Sequence, residues 1–395
     1  MPDYVVVVLG DIGRSPRMQN HSVCLSKLPN SNVHIVGYYE SPLFKELSEA
    51  KNVHIYKIHP FIELPRFLFP IYAPLKIFWL FLQLLSLFFR LPRFDLIIAQ
   101  NPPSIPTVPF CWFINFFKGK RFVIDWHNLG FSILKVHRTP GFIVKIAEFL
   151  EFFFGRKATA HICVTEALKE YLKERQIESS VVYDRPSELF KPCPEERKRF
   201  SEELKINSSD YWLISSTSWT PDEKIGILLE AAEILDNDLS ASKRCLSIII
   251  TGKGPDQRAF ESEVIGRNFK NISFYFEFLP YEDYAKLLGC CDIGVSLHIS
   301  SSGVDLPMKG LDMIGAGLPL LSVNYQCIRE LVDENVNGLL FEDGKDLAEL
   351  LKKMLISNEI SIDKLKAGSV KSSEKKWDTL WTECAKPVLL GSQGN

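Results

Sequence analysis

Residues 4–17 read YVVVVLGDIGRSPR. The unbroken apolar run from Tyr4 to Leu9, rich in β-branched valine, fits a strand buried on both faces, as in a parallel sheet. The glycines of Gly10-Asp11-Ile12-Gly13 permit a tight turn, Ser15 can cap a helix, and Pro16 suits its first turn. Strand, glycine loop and helix together open a βαβ unit, and the amides at such a helix start attract anions. Arg14 and Arg17 add positive charge, which makes Gly13, Arg14 and Arg17 candidates for holding a pyrophosphate; a capped helix with exposed arginines is the plainer alternative. No secretory signal is expected, because the strand passes straight into the turn.

Short apolar runs recur at Val33–Tyr38, Val53–Ile58, Leu96–Gln100, Phe122–Asp125 and Ile162–Thr165, with helical patterns between them. A second series starts near Tyr211, with Trp212–Ser216, Leu246–Thr251, Ile272–Phe276, Ile293–Leu297 and Leu320–Val323. Alternating β and α segments predict a parallel sheet covered by helices, and here that architecture occurs twice. The 395 residues also exceed what one core usually supports. The expected fold is therefore α/β: two Rossmann-like doubly wound domains, residues 1–185 and 211–368, facing a cleft between the carboxyl ends of their sheets. Pro186, Pro192 and Pro194 mark 186–210 as a linker, in which the charged run Glu195–Lys205 is expected as a solvated helix. In the tail, 369–395, Trp377 and Trp381 stand at i and i+4 and would share one helix face, packed either on the first domain or on their own.

The formal net charge of -2 gives no bulk attraction to nucleic acid, so no nucleic-acid partner is expected. Nine cysteines show no CxxC pair and no metal-ligand spacing, which fits a reducing compartment. With no HExxH and no carboxylate triad, a metal is not expected; Lys and Arg can neutralise a diphosphate leaving group instead. The most unusual segment is Phe67–Phe89, FLFPIYAPLKIFWLFLQLLSLFF, whose sole charge is Lys76 and which Arg66 and Arg90 flank. It approaches the length of a membrane span, but Pro70 and Pro74 disturb its start and the next strand follows closely. An in-plane helix at a membrane surface is expected, with a buried crossover helix as the alternative. Phe110–Phe117, followed by Lys118, Lys120 and Arg121, repeats an aromatic-then-basic character suited to anionic headgroups.

Loops after the strands carry the candidate chemistry. Ser216 and Thr217, then Gly252, Lys253 and Gly254, can offer hydroxyls, amides and an ammonium to a diphosphate. A surface lysine does not need glycine neighbours, so Lys253 reads as functional. The densest cluster runs from His298 through Ser300-Ser301-Ser302-Gly303-Val304-Asp305 to Lys309 and Asp312. Amides of Ser301, Ser302 and Gly303 are expected at a helix N-terminus for phosphate, Lys309 as a second cation, and Asp312 as acceptor for a ribose diol. Asp305 as a simple helix cap, with Lys309 and Asp312 solvated, is the alternative. In Asp125-Trp126-His127-Asn128, His127 is the candidate base for an acceptor hydroxyl, oriented by Asp125 or Asn128; Asp11 is its competitor.

Val8–Met18, Gln100-Asn101-Pro102-Pro103, Val123–Asn128, Ser215–Thr220, Ile250–Pro255, Ser300–Lys309 and the Trp377–Trp381 end resemble glycosyltransferase family 33, the chitobiosyldiphosphodolichol β-mannosyltransferases. The resemblance implies a GT-B fold and transfer of mannose, with inversion, from GDP-mannose to the 4-hydroxyl of dolichyl-diphosphate chitobiose. It also implies the first mannose of the N-glycan precursor, added at the cytosolic face of the endoplasmic reticulum membrane. GDP-mannose is then a substrate rather than a cofactor, and other mannosyltransferases of the route are further partners. Relatives in this fold hold ribose and phosphates with a glutamate pair; Asp305 and Asp312 stand near those places, and Glu330 resembles a further donor-side glutamate. Family members begin with a membrane-spanning anchor, so anchoring here is expected from Phe67–Phe89 or from a segment outside this sequence. A retaining mannosyltransferase acting later on the same lipid, a silent scaffold for partner transferases and a nucleotide-sugar epimerase are the competing readings.

Overall fold

A computed structural model of the chain describes residues 1–61, 69–136, 139–220, 223–300 and 302–391. It divides into two units, Met1–Tyr183 joined by the stretch from Trp377, and Asp184–Lys376. In the first unit, β1 (Asp3–Asp11), β2 (Asn32–Tyr38), β3 (Val53–Lys57), β4 (Leu96–Asn101), β5 (Phe122–Trp126), β6 (Ala160–Cys163) and β7 (Ser180–Val181) form one sheet in the order β3-β2-β1-β4-β5-β6-β7. Every pairing is parallel. Val5 to Val8 are buried at its centre, as the apolar run requires.

The helix Pro16–Ser26 has proline in its first turn, but Ser15 makes no capping bond. Its hydroxyl donates instead to Gln100 Oε1 at 2.6 Å, tying the end of β1 to the end of β4. Trp377 and Trp381 share a buried face, and with Leu380, Ala385 and Leu389 they complete the core over Val6, Val8, Ile35 and Ile98. Arg121 holds that segment by donating to the Val388 carbonyl from Nε at 3.2 Å and Nη2 at 2.7 Å.

Part of the apolar segment, residues 67–68, lies outside the described residues; the rest forms a helix, Phe69–Arg90. It is two-faced: Leu84 and Leu87 are buried, while Phe78, Phe81 and Phe89 are exposed. Among the described residues no helix is long and apolar enough to cross a membrane. The helices Thr107–Lys118 and Gly141–Gly155, joined by a Trp112–Phe154 ring contact, also turn aromatics outward, including Phe116, Phe142 and Phe149.

In the second unit, β8 (Tyr211–Ser216), β9 (Leu246–Thr251), β10 (Ile272–Glu277), β11 (Ile293–Ser296), β12 (Leu320–Val323) and β13 (Gly338–Phe341) form a sheet in the order β10-β9-β8-β11-β12-β13, again parallel. Alternate residues of each strand feed separate cores, Leu213 and Ile248 on one face, Trp212 and Ile249 on the other. The charged run expected as a solvated helix is anchored instead: Phe200 within it is buried in the second of these cores, as are Phe190, Cys193 and Ile206 around it. Arg197, expected in solvent, lies 4.3 Å from the Trp212 ring centroid and donates to Cys290 O and Asp292 Oδ2. Ser369 likewise belongs to the second unit, its buried hydroxyl donating to Leu318 O at 2.8 Å. Strands β7 and β13 were not expected, because they are short and follow polar loops.

Candidate active site

In each sheet the strand order reverses beside the first strand, between β1 and β4 and between β8 and β11, and ligands of such sheets bind beyond the carboxyl ends at that point. After β1, Asp11 Oδ1 accepts from the amides of Gly13 (3.3 Å), Glu40 (3.1 Å) and Ser41 (3.1 Å). Burial raises the Asp11 carboxyl, but hydrogen bonds from Ser41, Glu40 and Gly13 outweigh it and leave the group below its ordinary value. Asp11 thus holds the loop after β1 together through Oδ1. A side chain at Gly13 would come within 2.5 Å of the Ser41 carbonyl oxygen, so the glycine is needed for close approach. Arg14 is exposed, its Nε 3.3 Å from Ser41 Oγ and 3.5 Å from Asp11 Oδ2.

Arg17 is a correction. It turns inward and grips Asp125, with Nε 2.7 Å from Oδ2 and Nη2 3.0 Å from Oδ1, while Nη1 donates to Val182 O at 2.7 Å. A pyrophosphate would have to compete with a buried bidentate carboxylate. Asp125 is fully buried; desolvation alone would raise its carboxyl, but Arg17, His127 and His21 hold it well below the ordinary carboxylate range. His127 follows β5 with its ring partly exposed, and its Nε2 lies 3.1 Å from Asp125 Oδ2, off the line of a hydrogen bond. Asn128, beside it, accepts from Leu129 N through Oδ1 at 2.7 Å. Below this loop the buried Glu151 accepts from Asn101 Nδ2 (2.8 Å) and from the amides of Gly130 (2.9 Å) and Phe131 (3.1 Å).

In the second unit the expected donor residues gather at the carboxyl ends of β8, β9, β11 and β12. Ser216 Oγ lies 2.9 Å from Tyr284 Oη and accepts from Thr251 Oγ1 at 2.9 Å. The Thr217 hydroxyl donates to Glu223, and the amide of Trp219 donates to both Thr217 Oγ1 (2.9 Å) and Glu223 Oε2 (3.1 Å). Lys309 also reaches Glu223, and donates to Ser218 Oγ at 3.0 Å, so its ammonium stands over the loop after β8. Gly252 has φ +127°, and a Cβ there would lie 1.8 Å from Thr217 O; one at Gly254 would lie 2.3 Å from Ser218 O. Those glycines therefore make room for the 217–219 turn, a structural reason that the sequence reading of Lys253 denied. Lys253 itself is exposed, its Nζ 4.2 Å from the Phe278 ring centroid.

The loop after β11 differs from expectation. Ser301 lies outside the described residues. The helix starts at Met308 with Pro307 at its cap, so the amides of Ser302 and Gly303 are not at its N-terminus. They donate instead to Ser300 Oγ, at 3.3 and 2.9 Å. Asp305 does not cap that helix either; it accepts from Ser302 Oγ at 3.1 Å and from the Ser300 hydroxyl, and burial raises its carboxyl against those bonds and the pull of His298. His298 runs antiparallel beside Glu223. Asp312, on the helix Met308–Gly315, has a carboxyl without a hydrogen bond among the described residues, and burial pushes it up to about 8. Glu330 ends a short helical turn, Ile328–Glu330, beyond β12, partly buried.

Glu223, His21 and Glu151 were missed, and Trp381 was read only for its packing. Glu223 sits in the charged stretch Asp222-Glu223-Lys224, which reads as surface. His21 carried a signal, since it stands four residues after Arg17 on the face of the helix that also buries Met18 and Leu25.

Two Rossmann-like sheets, each with polar residues at its strand ends, fit a glycosyltransferase of the GT-B fold. Solved structures share it: the sucrose-phosphate synthase of Thermosynechococcus elongatus (TM-score 0.74, 12% identity, 97% of each chain) and Anabaena HepE in complex with UDP and glucose (TM-score 0.71, 14% identity, 97% of this chain and 98% of that). Family models match in both units, Glycosyl transferases group 1 over residues 196–368 and Glycosyltransferase Family 4 over residues 30–183. The chitobiosyldiphosphodolichol beta-mannosyltransferase of Mus musculus is 35% identical over 98% of this chain and 89% of its own, and that of Kluyveromyces lactis 36% over 95% and 87%. The Arabidopsis thaliana protein called UDP-glycosyltransferase TURAN is 35% identical over 97% and 96%. The chain belongs to the family of the chitobiosyldiphosphodolichol beta-mannosyltransferases.

Proposed function

We propose that this enzyme transfers mannose from GDP-mannose to dolichyl-diphosphate chitobiose in a single inverting displacement, at the cytosolic face of the endoplasmic reticulum membrane. His127 takes the proton of the acceptor hydroxyl, and Asp125 stabilises the imidazolium that forms. Lys309, Lys253 and the hydroxyls after β8 neutralise the departing GDP, with Asp312 on the ribose. Arg14 receives the acceptor diphosphate. The observation that carries the reading is a partly exposed imidazole 3.1 Å from a buried carboxylate that its neighbours keep ionised.

The exposed aromatics of helices Phe69–Arg90, Thr107–Lys118 and Gly141–Gly155 support docking of the first unit on a lipid surface, where a dolichyl acceptor resides. His127→Ala should lower kcat by about 100- to 10,000-fold while leaving GDP affinity within about twofold. Turnover within about threefold of the parent would refute the base assignment.

A further inference from the structure

Behind Asp125 lie two residues with no part in the reaction so far, His21 and Trp381, exposed by 0% and 3%. Trp381 Nε1 stands 2.9 Å from His21 Nδ1. An indole N–H only donates, so Nδ1 accepts, and a neutral His21 then carries its proton on Nε2. That nitrogen is 3.1 Å from Asp125 Oδ2 and donates to it. Arg17 occupies the same carboxylate from the other side, through Oδ2 at 2.7 Å and Oδ1 at 3.0 Å. With both oxygens engaged, the carboxylate cannot rotate without breaking buried bonds.

We propose that His21 and Trp381 are positioning residues for the Asp125–His127 pair: the Trp381 indole holds His21 as a neutral Nε2–H donor, and that donor, with the Arg17 fork, fixes Asp125 with Oδ2 toward His127. The inference rests on the reading of His127 as base. A neutral His21 leaves the charge of Asp125 balanced by Arg17 alone, so the carboxylate can still stabilise an imidazolium at His127. A protonated His21 would add a second cation beside Asp125 and weaken the base.

The charged and titratable groups around the cluster are Arg17 and His21 from the helix Pro16–Ser26, Asp125 and His127 at the end of β5, and Cys163 from β6. The C-terminal segment presents indoles to it, with Trp377 5.5 Å from the Arg17 guanidinium carbon and 5.2 Å from the His21 ring centre. Asp378 of that segment is mostly exposed and pairs with Lys27. Burial, the largest influence on His21, keeps the ring from charging against the pull of Asp125.

The test uses the full chain with nitrogen-15-labelled histidine. Trp381→Phe removes the N–H and keeps a ring. It should lower kcat by about tenfold, leave the GDP-mannose KM within about twofold, and move the acid limb of the kcat profile to lower pH, because a chargeable His21 weakens His127. Two-bond nitrogen–proton spectra should show wild-type His21 protonated on Nε2 alone across the profile and a new titration in Trp381→Phe. His21→Gln, which can still donate to Asp125, should retain more activity than His21→Leu. Leu389→Ala, in the same core, should lower thermal stability without moving the spectra or the pH profile.

The proposal is overturned if Trp381→Phe leaves the His21 spectra and the pH profile unchanged, or if Leu389→Ala shifts them equally. Should His127→Ala stay active while Trp381→Phe still frees the His21 proton, the clamp on His21 stands and only the base assignment falls.

Discussion

Asp312 gives the sharpest quantitative prediction. Burial pushes its carboxyl from 3.8 up to about 8. Between those values the folded chain keeps a proton that the unfolded chain has released, so its contribution to stability is complete below 3.8 and falls by about 1.4 kcal/mol per pH unit toward 8. A ribose diol reverses the preference, because hydroxyls donating to the carboxylate favour its ionised form. At pH 7 about one carboxyl in ten is ionised without ligand, so GDP binding should release about 0.9 proton from this group, and affinity should rise up to about tenfold per pH unit from 6 to 8. Calorimetry of GDP binding at pH 7 in phosphate and in Tris measures the release. Asp312→Asn in the same buffers separates this proton from any lost by the GDP phosphate. Equal proton release by wild type and Asp312→Asn would refute the placement of Asp312 on the donor.

Lys309→Ala should lower single-turnover transfer by about 10- to 1,000-fold if the ammonium meets the leaving diphosphate; near-normal turnover would remove it from that role. Phe116→Ser and Phe149→Ser should each weaken flotation with anionic phospholipid vesicles by roughly tenfold, on about 1.5 kcal/mol per inserted ring, and leave transfer to a detergent-solubilised acceptor intact. Unchanged vesicle binding would mean that these faces do not meet lipid.

The sheets were legible because buried parallel strands need short apolar runs rich in β-branched residues, as at Tyr4–Leu9 and Leu246–Thr251. Helix starts were legible where proline marks them, as at Pro16. Side-chain commitments were not. Arg17 looks like an anion ligand until Asp125, 108 positions away, claims it. The glycines around Lys253 look like a phosphate loop until the carbonyls of Thr217 and Ser218 fill the space beside them. Ser300–Gly303 suggest a helix start, but Pro307 sets it later and the Ser300 hydroxyl takes the amides first. In each case the competing partner is distant in sequence or a backbone atom, and neither leaves a mark in local composition.

The account stands most directly on which sugar moves and where. The full chain is incubated with dolichyl-diphosphate chitobiose and either GDP-mannose or UDP-sugars, and the anomeric configuration of the product is read by NMR. The account predicts one β-linked mannose on the 4-hydroxyl of the terminal sugar, formed from GDP-mannose alone. An α-linked product, or transfer from a UDP-sugar with none from GDP-mannose, would contradict it.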